Sequence, residues 1–363
     1  MKISEIIRNI LPLKDDDKFC LDFLKDEEEY EEIKYLLKQK RVNFKLFKFN
    51  VSLTEDGDYF ELHSSDDSLR QLLDKVNIKL LQKGLEEFFK RFSDEAYSII
   101  PALIAKNIEG LDAVKKAVAL QLFMQENFHI LMINDPSITG NFFIDSVSRI
   151  CPNISSYDGL EVSDDSAITS ANEGILAINR FNLLKRNERE NLISAMEHGV
   201  IYTNESKREA RIRLLAACLP IGGKFKRTFE SIRTQLPVDL PILQKFHLLF
   251  FNKEADVATK SGAKKSNLNP SIRDADANFV RKYIDYALKM DVVLSRELQD
   301  EMASYVDSLK RRQYKYLVEI TPKTILTVER LCKASARIDL RNKVEEKDLE
   351  RVKSIINSSL DIV

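Results

Sequence analysis

The stretch HILMINDPSITGNFFIDSVSRI, residues 129–150, decides how this chain folds. Its first part, His129 to Ile133, is a short apolar run typical of a strand buried on both faces of a parallel sheet. The turn-forming residues Asn134 to Ser137 follow, and Phe142 to Ile150 has the spacing of a helix. A strand, a loop and a helix in this order form the frame of a phosphate-binding loop.

Three further apolar runs predict that this strand has parallel neighbours. They are Gly174 to Ile178, Leu214 to Leu219 and Phe246 to Phe251, and helical patterns separate them. Strands that alternate with helices form a parallel sheet that is covered by helices. The sequence therefore predicts an α/β fold for a core at residues 81–253, in which Leu85 to Phe123 is helical with a break at Ile108 to Gly110.

The segments on either side of this core predict three more regions. Residues 1–80 read as a small α+β region of unknown role, because Phe44 to Val51 alternates like a strand, Glu55 to Asp58 signals a turn and Tyr59 to Leu62 is a plausible return strand. Residues 254–275 are rich in Lys, Ser, Asn and Ala and predict a linker. Residues 276–363 predict an all-helical ending.

Composition limits the classes of partner and compartment. The chain has 44% hydrophobic and 31% charged residues, which is typical of a folded protein. Its 56 basic and 57 acidic residues nearly cancel, so any nucleic-acid site must be local. No apolar run has the length of a membrane span, and we expect no membrane partner. The cysteines are far apart (Cys20, Cys151, Cys218 and Cys332), and we expect reduced thiols in the cytoplasm.

Several segments resemble the minichromosome maintenance (MCM) family of replicative helicases. One is IEGLDAVKKAVALQLF, residues 108–123, and others are ITPK, residues 320–323, ASARIDL, residues 334–340, and VEEKD, residues 344–348. The resemblance covers roughly residues 85–360, which is most of the chain. It implies the AAA+ ATPase fold, which is a P-loop-type parallel sheet flanked by helices and followed by a helical lid.

The phosphate loop departs from the pattern that this resemblance implies. The family reads Gly-Asp-Pro-Gly-Thr-Ala-Lys-Ser, and the matching residues here are Asn134, Asp135, Pro136, Ser137, Ile138, Thr139, Gly140 and Asn141. Gly140 replaces the lysine that neutralises the β and γ phosphates, and Asn141 replaces the hydroxyl that ligates Mg²⁺. Asn134 and Ser137 put side chains where glycines let backbone amides wrap phosphate.

The other nucleotide-handling positions differ as well. Asn179 and Arg180 replace the two acidic residues that hold Mg²⁺ and act as general base, and a permanent cation cannot accept a proton. Leu219 replaces the polar sensor asparagine. Lys245 and Lys323 replace the arginine finger and the sensor arginine of the lid, which in the family act across subunit boundaries.

These losses predict a pseudo-ATPase with no catalytic residues, no metal site and no expected cofactor, with weak ATP or ADP binding as the alternative. The resemblance implies a regulatory or structural factor whose partner is an active MCM subunit, another replication protein or DNA. Two alternatives are an ATP-dependent DNA helicase subunit with an unconventional nucleotide site, and a free-standing DNA-binding protein of a mobile element. The high lysine, isoleucine and asparagine content fits an AT-rich genome, and we expect an archaeal source.

Two basic segments are candidates for nucleic-acid contact. Residues 200–213 resemble a shortened pore hairpin of the family, and its cations could pair with DNA phosphates or be ordinary surface charges (Lys207, Arg208, Arg211 and Arg213). The run KRRQYKY, residues 310–316, interleaves cations with tyrosines and could stack on single-stranded bases, or be a plain loop of the lid.

Overall fold

A computed structural model describes the following residues of the chain: 49–54, 57–62, 86, 88–106, 108–136, 138, 140–160, 165–202, 206–225, 234–253, 257–259 and 274–360. The chain divides into two compact units, Met1–Glu95 with Arg273–Phe279, and Ala96–Ile272 with Val280–Val363. The boundaries predicted at residues 80, 253 and 275 stay predictions.

The first unit contains an antiparallel hairpin of strands β1 (Phe49–Thr54) and β2 (Gly57–Leu62). The predicted hairpin is therefore confirmed, although each strand has other bounds than expected. The predicted strand residues 44–48 lie outside the described residues, as do the two helical stretches expected before them. Elsewhere in this unit the ring of Phe279 packs edge-on against Phe92, with centroids 5.1 Å apart.

The remaining elements follow in chain order: α1 (88–103), β3 (Ile108–Gly110), α2 (Asp112–Leu122), β4 (Ile130–Asn134), α3 (Asn141–Ile150), β5 (Ile154–Asp158), α4 (Asp165–Ser170), β6 (Ile175–Asn179), α5 (Arg186–His198), β7 (Val200–Tyr202), β8 (Lys207–Glu209), β9 (Arg213–Cys218), α6 (Leu240–Leu243), β10 (Leu248–Asn252), β11 (Val257–Thr259), α7 (Asp274–Leu288), α8 (Arg296–Lys310), α9 (Pro322–Ile338) and α10 (Glu346–Leu360). Short 3₁₀ turns occupy Phe181–Leu183 and Gln313–Lys315.

Five of these strands form the predicted parallel sheet, in the order β10-β4-β9-β6-β5. Every residue of β4, β9 and β10 is buried, as their apolar sequences predict. The sequence did not predict β5, because Ile-Ser-Ser-Tyr-Asp is mostly polar. As the edge strand of the sheet, β5 is only partly buried, and it therefore needs no apolar run.

The stretch predicted as a linker, residues 254–275, contains a strand. Strand β11 lies inside it and pairs antiparallel with β3, the segment that sequence analysis read as a break between helices. Helix α7 then begins at Asp274. The correction follows from pairing between distant segments, because two three-residue strands leave almost no periodic signal in a sequence.

The predicted helical ending is confirmed and packs onto the sheet through buried polar contacts. Ser359 of α10 exchanges hydrogen bonds of 3.0 Å with the backbone N–H and C=O of Leu249 in β10. Arg337 of α9 is buried and donates to the carbonyl oxygen of Phe123, 3.1 Å away, at the end of α2. These bonds fix the helical lid on the sheet. Among the described residues, no helix is long and apolar enough to cross a membrane.

Candidate functional site

The predicted nucleotide site lies at one edge of the parallel sheet. Because all five strands are parallel, their last residues meet at this edge, which we call the carboxyl edge (Asn134, Asp158, Asn179, Cys218 and Asn252). The loop after β4 and the residues Asn179, Arg180 and Leu219 all lie there. Ligands of open parallel α/β sheets bind at this edge, so the structure brings these predicted residues together at an edge where a ligand site is expected.

The start of the phosphate loop makes hydrogen bonds within the protein. Asn134 is buried, and its Oδ1 accepts from Asn252 Nδ2 at 2.7 Å. The N–H of Asp135 donates to the Asn252 carbonyl at 2.9 Å, and its Oδ1 accepts from the Phe225 N–H at 2.9 Å. The N–H of Ile138 donates to Asp135 at 2.9 Å. Pro136 is exposed, and Ser137 and Thr139 lie outside the described residues. Two loop amides therefore already have acceptors.

Gly140 has no room for a side chain. It directly precedes α3 with helical backbone angles, and a Cβ there would overlap the Cβ of Ala217 in β9 and lie 3.0 Å from Asn179 Oδ1. A lysine at this position would have to displace β9, which is buried throughout. Sequence analysis detected the missing lysine but not this contact, since Ala217 is remote in the chain.

A polar network fills the place where Mg²⁺ and the general base would be held. Asn179 Nδ2 donates to Asn141 Oδ1 at 2.8 Å and to Asp158 Oδ2 at 3.4 Å. Arg180 pairs bidentately with Asp158, with its Nε and Nη2 each 2.6 Å from a different carboxylate oxygen. The four side chains satisfy one another, so the guanidinium of Arg180 is already neutralised.

Asp158 is the network residue that sequence analysis missed. Partial burial acts to raise the pKa of its carboxyl group, but hydrogen bonds from Arg180, the Leu160 N–H and Asn179 outweigh this effect and lower the pKa below its ordinary value. The carboxylate is therefore ionised at neutral pH. The only signal in the sequence was an aspartate at the end of a polar strand that itself was not predicted.

Leu219 follows the end of β9 at the carboxyl edge. Its side chain is exposed, and a hydrocarbon can neither donate to nor accept from a water molecule. Leu219 therefore lies where the family resemblance implies a sensor asparagine, but its side chain cannot orient a water molecule.

Lys245 and Lys323 lie at the opposite end of the strands, which we call the amino edge. Strand β10 runs parallel to β4, with Leu248 opposite Ile130 and Asn252 opposite Asn134. The phosphate loop follows the last residue of β4, whereas Lys245 precedes the first residue of β10, so the two lie at opposite ends of the strands. Four strand residues span ~13 Å. The residues that sequence analysis grouped as one pocket therefore form two groups at opposite ends of the sheet.

The amino edge contains a cavity of about 250 Å³ between β10 and the lid. Lys323 Nζ lies in its wall and donates to the carbonyl oxygen of Lys245 at 2.6 Å, while Lys245 pairs with Glu197. Burial and the nearby cations Lys245 and Arg330 lower the pKa of Lys323 to about 8. The cavity is also lined by Thr321, Thr324, Thr327 and Ser359, and the hydroxyl groups of Thr327 and Ser359 donate to backbone carbonyl oxygens.

Two buried histidines support this edge. His247 Nδ1 accepts from the His129 N–H at 3.0 Å, and His129 Nδ1 accepts from the Leu214 N–H at 3.3 Å. Burial lowers the pKa of His129 to about 3 and holds that of His247 well below its ordinary value. Both rings are therefore neutral at physiological pH. Among the described residues, no three metal-ligating side chains cluster.

Comparison with known protein families decides the identity of this fold. A family model described as the MCM P-loop domain matches residues 155–263, and one described as the MCM AAA-lid domain matches residues 278–360. Together the two models cover more than half of the chain. The chain belongs to the MCM family. The resemblance stated from the sequence is confirmed, and the five-stranded sheet with its lid is the AAA+ fold of that family.

Curated MCM relatives are distant and longer. The zygotic DNA replication licensing factor mcm6 of Xenopus tropicalis is 22% identical over 83% of this chain and 42% of its own length. An uncharacterized MCM-type protein of Methanocaldococcus jannaschii is 22% identical over 88% of this chain and 54% of its own length. The DNA replication licensing factor Mcm6 of Drosophila melanogaster is 24% identical over 73% and 38%. The chain spans about half the length of these MCM relatives, or less.

The hairpin that resembles an MCM pore hairpin forms from β7 and β8. Lys207 and Arg208 are exposed on β8. Arg211 is also exposed, with its Nη1 3.5 Å from Glu173. Three of the four predicted DNA-contact cations are thus accessible.

Arg213 is the fourth predicted cation, and the structure contradicts its proposed role. It is buried at the start of β9, and its Nη1 donates to the Met124 carbonyl oxygen at 2.6 Å. Its Nη2 donates to Glu173 at 3.2 Å, and its Nε donates to Gly174 at 3.3 Å. Arg213 therefore donates hydrogen bonds to carbonyl groups at and after the end of α2 that lack a helical partner, and it cannot reach DNA. Its charge alone had suggested a surface position.

Proposed function

We propose that this MCM-family chain is a non-catalytic, regulatory or structural subunit that binds an active MCM subunit, or another replication protein, instead of hydrolysing ATP itself. The observation that supports this most strongly is at the carboxyl edge. There the backbone of Gly140 packs against Ala217, and Asn179 and Arg180 bind Asn141 and Asp158.

ATP hydrolysis needs three things that these residues do not supply. A cation must neutralise the β and γ phosphates, and Gly140 provides none. Mg²⁺ needs an anionic ligand and a hydroxyl group, where the chain has the amides of Asn179 and Asn141. The attacking water needs a base, and Arg180 is a cation held by Asp158. We therefore expect no resident cofactor and no turnover.

The amino edge supports the partner part of the proposal. Lys245 and Lys323 occupy the positions whose family counterparts act on a neighbouring subunit's nucleotide, and they retain positive charge beside a cavity with hydroxyl groups. An inactive subunit with this edge intact could take one place in an MCM ring and alter the hydrolysis of its neighbour. The relatives named as replication licensing factors are consistent with such a partner.

Co-purification tests this proposal. The tagged chain is produced at native level in its own cells, and catalytic MCM subunits are sought among the bound proteins. We expect an active MCM subunit to bind, and the double variant Lys245→Glu, Lys323→Glu to lose it. Lys289→Glu with Arg296→Glu, at two exposed cations, is the matched control and should retain the partner. Failure of the unmodified chain to retain any MCM subunit would count against the proposal.

A second candidate function is contact with DNA through the β7–β8 hairpin. Lys207, Arg208 and Arg211 are exposed and could pair with phosphates, although Glu173 and Glu209 lie within 3.5 and 4.0 Å of the Arg211 guanidinium. DNA binding that weakens steeply with salt and is lost in Lys207→Ala with Arg208→Ala would support it.

The helicase alternative instead requires DNA-stimulated ATP turnover, while a free-standing mobile-element protein would bind DNA without any MCM partner. The cytoplasmic location and the archaeal source stay predictions.

A further inference from the structure

The segment between α8 and α9 concentrates positive charge. We call residues 310–316 the lid loop, and it contains Lys310, Arg311, Arg312 and Lys315. No acidic residue occurs from Ser308 to Val318, so this stretch has a formal charge of +4 in a chain whose net charge is −1. Because the net charge of the whole chain is close to zero, a nucleic-acid site must be a local cluster of positive charge, and this segment is such a cluster.

The four cations of the lid loop are exposed, and within the described part of the chain none of them forms an ion pair with a carboxylate. Other lid cations do form such pairs, for example Lys333 with Glu329 at 2.7 Å and Arg341 with Asp348 at 2.6 Å. Lys310 and Arg311 also complement the carboxyl end of α8. That role does not extend to Lys315, which ends the 3₁₀ turn Gln313–Lys315 and whose Nζ lies 5.8 Å from the centroid of the Tyr314 ring.

Tyr314 projects from this loop on a turn with a fixed conformation. Its side chain is 77% exposed, more than any other large hydrophobic side chain among the described residues. The preceding Gln313 holds the turn in place, because its Nε2 donates to the Val318 carbonyl at 3.0 Å and its Oε1 accepts from the Ile320 N–H at 2.6 Å. Because the backbone of the turn is already held, a ligand that stacks on Tyr314 orders the side chain but not the loop.

We propose that the lid loop binds single-stranded nucleic acid, with one base stacked on Tyr314 and neighbouring phosphates paired with Arg311, Arg312 and Lys315. Stacking requires an unpaired base, so a single strand fits better than a duplex. A membrane surface fits less well, because a peripheral anchor inserts several apolar side chains, whereas Leu317 of this segment is buried. This second nucleic-acid site adds to the DNA contact proposed for the β7–β8 hairpin. It requires neither that hairpin nor a bound MCM subunit.

Fluorescence anisotropy with labelled oligothymidylate and the purified full chain tests the base contact. We expect Tyr314→Ala to weaken binding about 5-fold or more, since a stacked base contributes at least this much. Tyr314→Phe retains the ring and should bind like the unmodified chain. Leu326→Ala, at an exposed large side chain outside both proposed nucleic-acid sites, is the control for loss of a surface side chain and should bind like the unmodified chain.

Salt dependence tests the phosphate contacts. Removal of three phosphate contacts from a single strand should reduce the slope of log affinity against log salt by about 2. We expect this reduction for the triple variant Arg311→Ala, Arg312→Ala, Lys315→Ala. A charge-matched triple, Arg186→Ala, Lys289→Ala, Arg296→Ala, removes three exposed cations elsewhere and should leave the slope unchanged.

Four results would overturn the inference: no binding of oligothymidylate by the unmodified chain, equal affinity of Tyr314→Ala, an equal slope change in the charge-matched triple, or loop-dependent binding to phosphatidylserine vesicles without oligonucleotide binding. The assay uses the chain alone. Its outcome is therefore separate from the co-purification result, and either proposal can fail while the other stands.

Discussion

The two edges of the parallel sheet differ in how their polar groups are satisfied. At the carboxyl edge Asn141, Asn179, Asp158 and Arg180 bind one another, and Gly140 leaves no space for a side chain. At the amino edge two lysines border a cavity, and the pKa of Lys323 is lowered by burial and by neighbouring cations. At the carboxyl edge the polar side chains bind one another, whereas at the amino edge Lys245 pairs with Glu197 and Lys323 donates to backbone carbonyl oxygens in the wall of the cavity.

This difference indicates which part of an ATPase fold a subunit can lose. The family resemblance implies that the residues binding a subunit's own nucleotide match positions at the carboxyl edge, where Asn179 and Arg180 bind Asp158. It implies that the residues acting on a neighbouring subunit match Lys245 and Lys323 at the amino edge, where the replacements are conservative in charge.

The largest effect is expected at Gly140. Because a Cβ there would overlap Ala217, Gly140→Ala should lower the free energy of unfolding by about 2–3 kcal/mol, as overpacking in a buried site does. Urea denaturation of the purified chain measures this. Adding Ala217→Gly removes the overlapping methyl group and should recover most of the loss. A single variant as stable as the unmodified chain would show that this edge is not closed by packing.

At the amino edge, acidification should weaken the fold. The folded-state pKa of His129 is about 3, against 6.5 for an exposed histidine, so the unfolded chain binds a proton that the folded chain excludes. Stability is complete above pH 6.5 and is lost as the pH falls towards 3. Between pH 7 and pH 5 we expect a loss of about 2 kcal/mol from this residue.

The control for this experiment is His129→Gln, which cannot titrate. Urea unfolding at both pH values should show a smaller pH dependence for this variant than for the unmodified chain. If both proteins lost the same stability between the two pH values, the loss would not come from protonation of a buried, neutral His129.

The Arg180–Asp158 pair should contribute modestly to stability. The Arg180 side chain is 44% exposed, so solvent screens the pair and we expect a coupling of at most about 1 kcal/mol. A double-mutant cycle with Arg180→Ala and Asp158→Asn, measured by urea denaturation, gives this value. Zero coupling would mean that the two side chains do not hold each other at the carboxyl edge.

The smallest effect concerns Lys323. Its folded-state pKa is about 8, below the ordinary 10.5, so its charge disfavours the folded state at pH 7. Lys323→Met should therefore be more stable than the unmodified chain at pH 7, by less than about 1 kcal/mol because the side chain is only partly buried. This advantage should shrink between pH 8 and pH 10.5, as the folded chain releases the proton. Thermal unfolding at pH 7 and above pH 10 checks it.

Much of the fold was predictable because four strands of the sheet are apolar runs. The candidate site came instead from the family resemblance, because Gly140, Asn179 and Arg180 stand where the resemblance implies other chemistry, and the loss of the nucleotide site stays a prediction. The edge strand β5 and its Asp158 were not predictable, because a half-buried polar strand has no apolar signal. Burial of Arg213 was also missed, since its carbonyl partners come from segments about 40 and 90 residues away.

The separation of Lys245 and Lys323 from the other predicted pocket residues required the topology. Because β10 and β4 are parallel, Lys245, which precedes β10, lies at the opposite end of the strands from the loop that follows β4. The resemblance implies that these two positions act across a subunit boundary, and the sheet order shows that they lie at the opposite end of the strands from the other predicted positions.

We propose that the carboxyl edge neither binds nor hydrolyses ATP. The direct test is a calorimetric titration of the purified chain with Mg²⁺-ATP, combined with phosphate release with and without single-stranded DNA. We predict no saturable heat and no turnover for the unmodified chain. Micromolar affinity, or steady turnover stimulated by DNA, would contradict the account and favour the helicase alternative.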